Sequence, residues 1–261
     1  MRRITLGLIF SFFLPIIAYA NVIDDKCAQH AYKGAPNIQQ DTDFVYLCRK
    51  GYAVAYNLKF KNPIYVIEHV SKERLGDEPR TEDFRPDLDI KPEHQATLQD
   101  FSGAGYDRGH MSPAANNGSN KEAMSESFLL SNMVPQNPGN NRGIWKQLEV
   151  NVRNWVVNGR DLYVIQGPIF DEGYKTIGPN KVAVPTRLYK IIVDNESGIM
   201  LAFIFPNDKL EVKDLPKFIV SVDEVEKATN INFSPKLTEG EEVLEAVRSS
   251  LIFFEEPKIQ Q

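Results

Sequence analysis

The chain has 261 residues, 42% of them hydrophobic, with 30 Lys and Arg against 35 Asp and Glu and a formal net charge of −5. That balance excludes a protein that gathers polyanions through its overall charge, so any nucleic acid must be held by a local cluster of cations. The length allows one large domain or two small ones with a sizeable core, and two cysteines without a partner pair argue against a zinc site.

The chain opens with MRRITLGLIFSFFLPIIAYA: two arginines, an apolar run from Ile4 to Ile17 and a small-residue ending at Ala18-Tyr19-Ala20. This is the layout of a secretory signal peptide over residues 1–20, with a mature chain of 21–261 that is secreted or periplasmic. The alternative is a retained anchor, but the apolar run is about 14 residues where a span needs about 20. No later run is long enough to cross a bilayer, so no membrane contact is expected after cleavage. Losing Arg2 and Arg3 leaves 28 basic against 35 acidic residues, a net −7. Cys27 and Cys48 either close into a bridge, worth roughly 3 kcal/mol, or stay as two buried thiols; an oxidising compartment favours the bridge.

From Cys48 to Val70 apolar and polar residues alternate on either side of Lys59–Pro63, which predicts two strands and a turn. Residues 71–95 are charged, proline-rich and without period, so they read as an exposed loop. Next comes YDRGHMSPAANN at 106–117, in which His110, one of four histidines, closes a strand directly before turn residues. Ser119 and Glu122 match the capping box of a short helix. FLLSNMVPQNPGN then reads as an apolar strand ending at Leu130, with Asn132 near its end and Pro135, Gln136 and Pro138 terminating it.

A helix is predicted over Asn141–Asn158. Ile144, Leu148, Val152 and Trp155 form its buried stripe. Asn141 begins a second stripe, Trp145, Glu149 and Arg153, rotated by about 100°. Asn141 and Glu149 would be about 12 Å apart at Cα, with Glu149 leaning back toward Asn141. Short strands follow in DLYVIQGPIF, KVAVPTRLYKIIVD and MLAFIFPN, then a helix over Ser221–Thr229 with acids near its start, and a solvated tail. Strands from both halves of the chain flank one long central helix, which predicts a single α+β domain with antiparallel sheets.

Four blocks, Asp107-Arg108-Gly109-His110, Leu130-Ser131-Asn132 with Pro135-Gln136, Asn141 with Trp145, and Leu148-Glu149, resemble the signature of the DNA/RNA non-specific endonucleases, His-Asn nucleases with a ββα-metal core. The resemblance runs from about Cys48 to about Pro235 and takes in Gln166-Gly167-Pro168 and VAVPTRLYK. It implies hydrolysis of DNA and RNA through the phosphate backbone, with little sequence preference and 5′-phosphate products.

The resemblance also implies roles. His110 is the general base, its reference pKa of about 6.5 suiting the task. Asn141 is the one direct ligand of Mg²⁺, with Mn²⁺ as a substitute ion, and Glu149 fixes a water of that ion. Arg108 and Arg153 clamp the phosphate. A third arginine is carried over to Arg80, with Arg85 as the alternative. Asn132 holds hairpin and site together by hydrogen bonds, Asp107 orients its strand or Arg108, and Gly109 allows a close approach or serves a turn. His30, His69 and His94 match no block and read as satisfied by neighbours; Trp145 and Trp155 read as helix packing. Two other readings remain open here: a catalytically silent polyanion-binding module, and a metal phosphodiesterase for small or lipid-linked phosphates.

Overall fold

The structure is a computed structural model that describes residues 26–251; the signal peptide read at residues 1–20 lies outside them. In chain order the principal strands are β1 (Phe44–Cys48), β2 (Ala53–Asn57), β3 (Asn62–Val70), β4 (Asp107–His110), β5 (Met133–Gln136), β6 (Leu162–Ile169), β7 (Arg187–Asp194), β8 (Met200–Pro206) and β9 (Ile219–Val220). The helices used below are α1 (Lys121–Glu126), α2 (Lys146–Val157) and α3 (Val222–Thr229). Seven of these strands form one antiparallel sheet in the order β9-β8-β7-β6-β3-β2-β1, and β4 pairs with β5 in a separate hairpin. The fold is a single α+β domain, as the sequence predicts.

The hairpin of β2 and β3 forms where expected. Its turn is set by Asn57, whose Oδ1 accepts from the backbone N–H groups of Lys59 and Phe60 at 2.9 and 2.8 Å. The alternation read there does not mark a solvated face, because β2 is buried throughout and β3 nearly so. Val54, Val66, Leu188 and Ile192 pack on the α2 side of the sheet, whereas Ala53, Ile67, Ile191 and Val193 pack on the α3 side. A sheet covered on both faces buries both parities of its strands.

Helix α2 meets the sheet through Ile144, Leu148, Val152 and Trp155, each at most 4% exposed, as the stripe predicts. Burying four such side chains contributes on the order of 6–12 kcal/mol before entropy is counted. The helix does not begin as predicted: Asn140–Trp145 is a π-helical turn, broken at Gly143 (φ −104°, ψ −110°), and regular helix starts at Lys146. Helix α3 forms where expected, with acids in its first turn, and is capped by Ser221 and Glu224 bonding reciprocally.

Two local expectations are corrected. Phe128–Leu130 is not a strand; Leu130–Asn132 is a 3₁₀ turn, and the strand follows it, including Pro135 and Gln136. Proline is tolerated because β5 has one partner, β4, and an open outer edge. The short helix is capped by Asn120, not Ser119: Asn120 Oδ1 accepts from Ala123 N–H at 3.0 Å. Residues 71–95 form the expected loop, although Asp87 inside it is buried against Arg49 at 2.6 Å. Cys27 and Cys48 are joined in a disulfide, their Cα atoms 5.9 Å apart, which ties the start of the described chain to β1.

Candidate active site

An open cleft of about 780 Å³ lies where the β4–β5 hairpin, the π-helical turn and the first turns of α2 meet. His110, Arg108, Arg80, Asn141, Glu149 and Arg153 all line it. Arg85 does not: its guanidinium binds Asp83 at 2.8 Å and the Ser125 carbonyl at 3.0 Å, fastening the loop to α1. Asn132 has no face in the cleft. Wholly buried, it accepts from Ser112 N–H and donates to the Ser112 carbonyl, both at 2.8 Å, and donates to the Ser127 carbonyl at 2.9 Å. It therefore fixes the segment that follows His110.

The imidazole of His110 is held edge-on by two rings, Phe84 at 5.5 Å and Phe128 at 5.1 Å. These same rings carry the arginines: Arg108 lies 4.0 Å over Phe84, and Arg80 lies 4.8 Å over Phe128. Such cation–π contacts hold guanidinium groups in place without consuming their N–H donors, although Arg80 Nε also donates to Glu82 at 2.8 Å. Burial, followed by the charges of Arg80 and Arg108, pushes the imidazole down to about 3. A hydrogen bond with the Arg108 backbone engages the ring, and Nε2 is buried with no partner among the described residues. The result is an imidazole held in its neutral form.

Asn141, in the π-helical turn, faces Asp107 at the start of β4. Its Nδ2 donates to Asp107 Oδ2 at 2.9 Å, and Arg142 donates to the same carboxylate at 2.8 and 2.6 Å. Asp107 thus orients Asn141 and Arg142, where the sequence reading has it orienting its strand or Arg108. Burial alone would raise the Asp107 carboxyl, but the bonds from Arg142 and Asn141 hold it below its ordinary value. With its N–H group committed, the Asn141 carboxamide presents Oδ1 as an acceptor. Gly109 permits the hairpin to close: a Cβ there would lie 2.0 Å from Gln136 Oε1.

Glu149 and Arg153, one turn apart on α2, occupy the far wall. Burial pushes Glu149 up to about 6, against the pull of Lys190 and Arg153. Lys190 is 1% exposed and sits 4.2 Å over the Trp145 ring, which packs in the core as expected. Behind this wall lie Glu68 and Gln166, both fully buried. Sequence reasoning missed Glu68 and Lys190 because a charged residue inside a strand looks solvated. The available signal was parity: Glu68 shares a face with Val66 and Val70, and Lys190 with Leu188 and Ile192. The other histidines have partners elsewhere: His30 with the Arg49 carbonyl, His69 with Asp161, and His94 with the Leu58 carbonyl.

With the site's geometry in place, comparison with known proteins is decisive. The profile of the DNA/RNA non-specific endonuclease family matches residues 29–239. The chain belongs to that family. Among members of the DNA/RNA non-specific endonucleases, the mitochondrial nuclease EXOG of Homo sapiens is 36% identical over 209 residues, 73% of this chain and 57% of the relative. Mitochondrial endonuclease G of Homo sapiens is 34% identical over 205 residues, 72% of this chain and 69% of the relative. A nuclease of Nostoc sp. is 34% identical over 212 residues, 77% of each chain. The chain thus spans little more than half the length of the EXOG nucleases it matches. A chain in the crystal structure of the EndoG/EndoGI complex superposes with a TM-score of 0.73 at 28% identity, covering 86% of this chain and 96% of that one.

The donors in this cleft suit a hard, hydrated divalent ion. Asn141 offers one neutral oxygen, aimed by Asp107, and Glu149 offers a carboxylate in the same cleft. So sparse an all-oxygen set leaves room for water and phosphate oxygens, the coordination that Mg²⁺ prefers.

Proposed function

We propose that this chain is an exported, Mg²⁺-dependent, sugar-non-specific endonuclease that hydrolyses the phosphodiester backbone of DNA and RNA and leaves 5′-phosphates. The observation that carries this reading is the meeting, in one open cleft, of a neutral imidazole, three arginines and an oriented carboxamide oxygen.

In this reading the His110 imidazole takes a proton from the water that attacks phosphorus, and the bond from phosphorus to the 3′-oxygen breaks. Arg108 and Arg80, seated on their phenyl rings, and Arg153 on the opposite wall offset the charge that gathers on the phosphoryl oxygens. Asn141 would hold the divalent ion directly, and Glu149 would act on it through water. When bound, Mg²⁺ supplies charge neutralisation at the phosphate and stabilises the leaving 3′-oxygen. The cations in the cleft address phosphate, not base edges, which favours cleavage of many sequences and of both sugar types. Mn²⁺ serves as the substitute ion. Export is supported by the N-terminal apolar run and by the Cys27–Cys48 bridge; among the described residues no helix is long and apolar enough to cross a membrane.

Incubation of plasmid DNA and ribosomal RNA with the chain in Mg²⁺, with and without EDTA, tests the reading. Fragmentation of both substrates to 5′-phosphorylated ends, abolished by EDTA, is expected. Turnover of a small chromogenic phosphodiester with no cleavage of either polymer would replace it with the phosphodiesterase alternative.

A further inference from the structure

One buried charge near the cleft takes no part in the chemistry above. Glu68, in the middle of β3, is 0% exposed, and its carboxylate accepts hydrogen bonds from three directions. Oε1 accepts from Asn116 Nδ2 at 3.1 Å and from Gln166 Nε2 at 3.0 Å, and Oε2 accepts from Ser112 Oγ at 2.8 Å. Burial raises its pKa, opposed by Arg74, Ser112, Lys190 and Asn116. Enclosing a carboxylate costs several kcal/mol even when its bonds are made, and an apolar residue of similar volume would serve stability at least as well. A role in the site accounts for its presence better than stability does.

Each donor leads onward. Asn116 Oδ1 accepts from Arg153 Nη1 at 3.2 Å, the hydrogen bond that holds the guanidinium at the cleft wall. Gln166 Oε1 accepts from the ammonium of Lys190, its partner across the β6–β7 pairing. Ser112 stands two residues after His110, and its hydroxyl also accepts from Asn117 Nδ2 at 3.1 Å. The carboxyl group takes all three donors at once, two on Oε1 and one on Oε2.

We propose that Glu68 is a positioning residue for phosphodiester cleavage: through Asn116 it aims Arg153, and through Ser112 it pins the segment that carries His110, so one buried carboxylate sets two walls of the cleft. The inference rests on the endonuclease reading of that cleft. It also accounts for the buried Lys190, which fixes the Gln166 carboxamide so that its N–H group faces Glu68.

A double-mutant cycle tests it. Asn116→Ala cuts the link to Arg153 and leaves Glu68 in place. In the parent it should lower kcat/KM for DNA by about tenfold, the scale on which outer-sphere partners act. In an Arg153→Ala background the same change should cost less than about twofold, because the group it aimed is gone. Glu68→Gln keeps a carbonyl for Asn116 and Gln166, and its N–H group can donate to the Ser112 hydroxyl, so it should retain most activity where Glu68→Ala does not. Equal losses from Asn116→Ala in both backgrounds, or no loss in the parent, would overturn the proposal even if Glu68→Ala fails to fold. The cycle is repeated as anisotropy of a short fluorescein-labelled single-stranded DNA in EDTA, where a drop of about threefold in affinity, absent without Arg153, is expected. Coupling in binding without cleavage by the parent removes the endonuclease reading and leaves Glu68 only as the residue that aims Arg153 at bound phosphate. Additive losses with an active parent remove the inference alone, and a parent that neither binds nor cleaves removes both.

Discussion

At the scale of single residues, two titrating groups of the cleft, His110 and Glu149, have been pushed in opposite directions. His110, lowered to about 3, is a free base at any pH near neutrality. Glu149, raised to about 6, is charged above that value and neutral below it. The acid limb of the pH profile therefore belongs to Glu149: kcat/KM at fixed Mg²⁺ should fall about tenfold per unit below pH 6, and the limb should be absent from the residual activity of Glu149→Gln. A limb that survives in that variant would assign it to another group. Asp107 acts through Asn141. Asp107→Ala frees the carboxamide to turn, so the half-saturating Mg²⁺ concentration should rise roughly 10- to 100-fold; an unchanged Mg²⁺ titration would contradict the pairing. The residues brought into the cleft were legible as DRGH, Asn141, Glu149 and Arg153 because they sit in short, ordered blocks. Asp107–Arg142, Phe84, Phe128 and Glu68 were not, since each acquires its meaning from a partner distant in the chain.

At the scale of elements, the hairpin β4–β5 decides the site, and its closeness depends on one missing Cβ. Gly109→Ala would set a methyl 2.0 Å from Gln136 Oε1 and 2.6 Å from Gln136 Cβ, so the strands must part or Gln136 must leave Asn140, to which it donates at 2.8 Å. A loss of about 1–3 kcal/mol in urea unfolding, with a larger fall in activity than Gly240→Ala produces, where a Cβ would meet nothing within 4 Å, is expected. The helix stripe was legible because its 3.6-residue period survives packing. The kink at Gly143 and the displaced strand 133–136 were not, because a π turn and a 3₁₀ turn carry no period of their own. Pro135 read as a terminator only because nothing in the sequence marks β5 as a strand with one open edge.

At the scale of the whole molecule, the sheet buried on both faces provides a rigid wall against which α2 presents Glu149 and Arg153. The single α+β domain was legible from the order of strands and helices; the burial of both strand faces was not, since period-2 reading assigns one face to solvent. The N-terminal segment joins this body through the Cys27–Cys48 bridge. Replacing both cysteines by serine should lower unfolding free energy by about 3 kcal/mol from loop entropy, with little change in cleavage at low temperature, because the bridge is outside the cleft. Loss of cleavage in a variant that stays folded would mean that the N-terminal segment shapes the site.

The central claim is that His110 and Asn141 act on one phosphate. A crystal structure of His110→Ala with Mn²⁺ and a short DNA, read by the anomalous signal of manganese, tests it most directly. The account places the ion within bonding distance, about 2.2 Å, of Asn141 Oδ1, sharing a phosphate that faces the vacated imidazole position. An ion seated outside the cleft, or a phosphate bound away from Asn141, would contradict it.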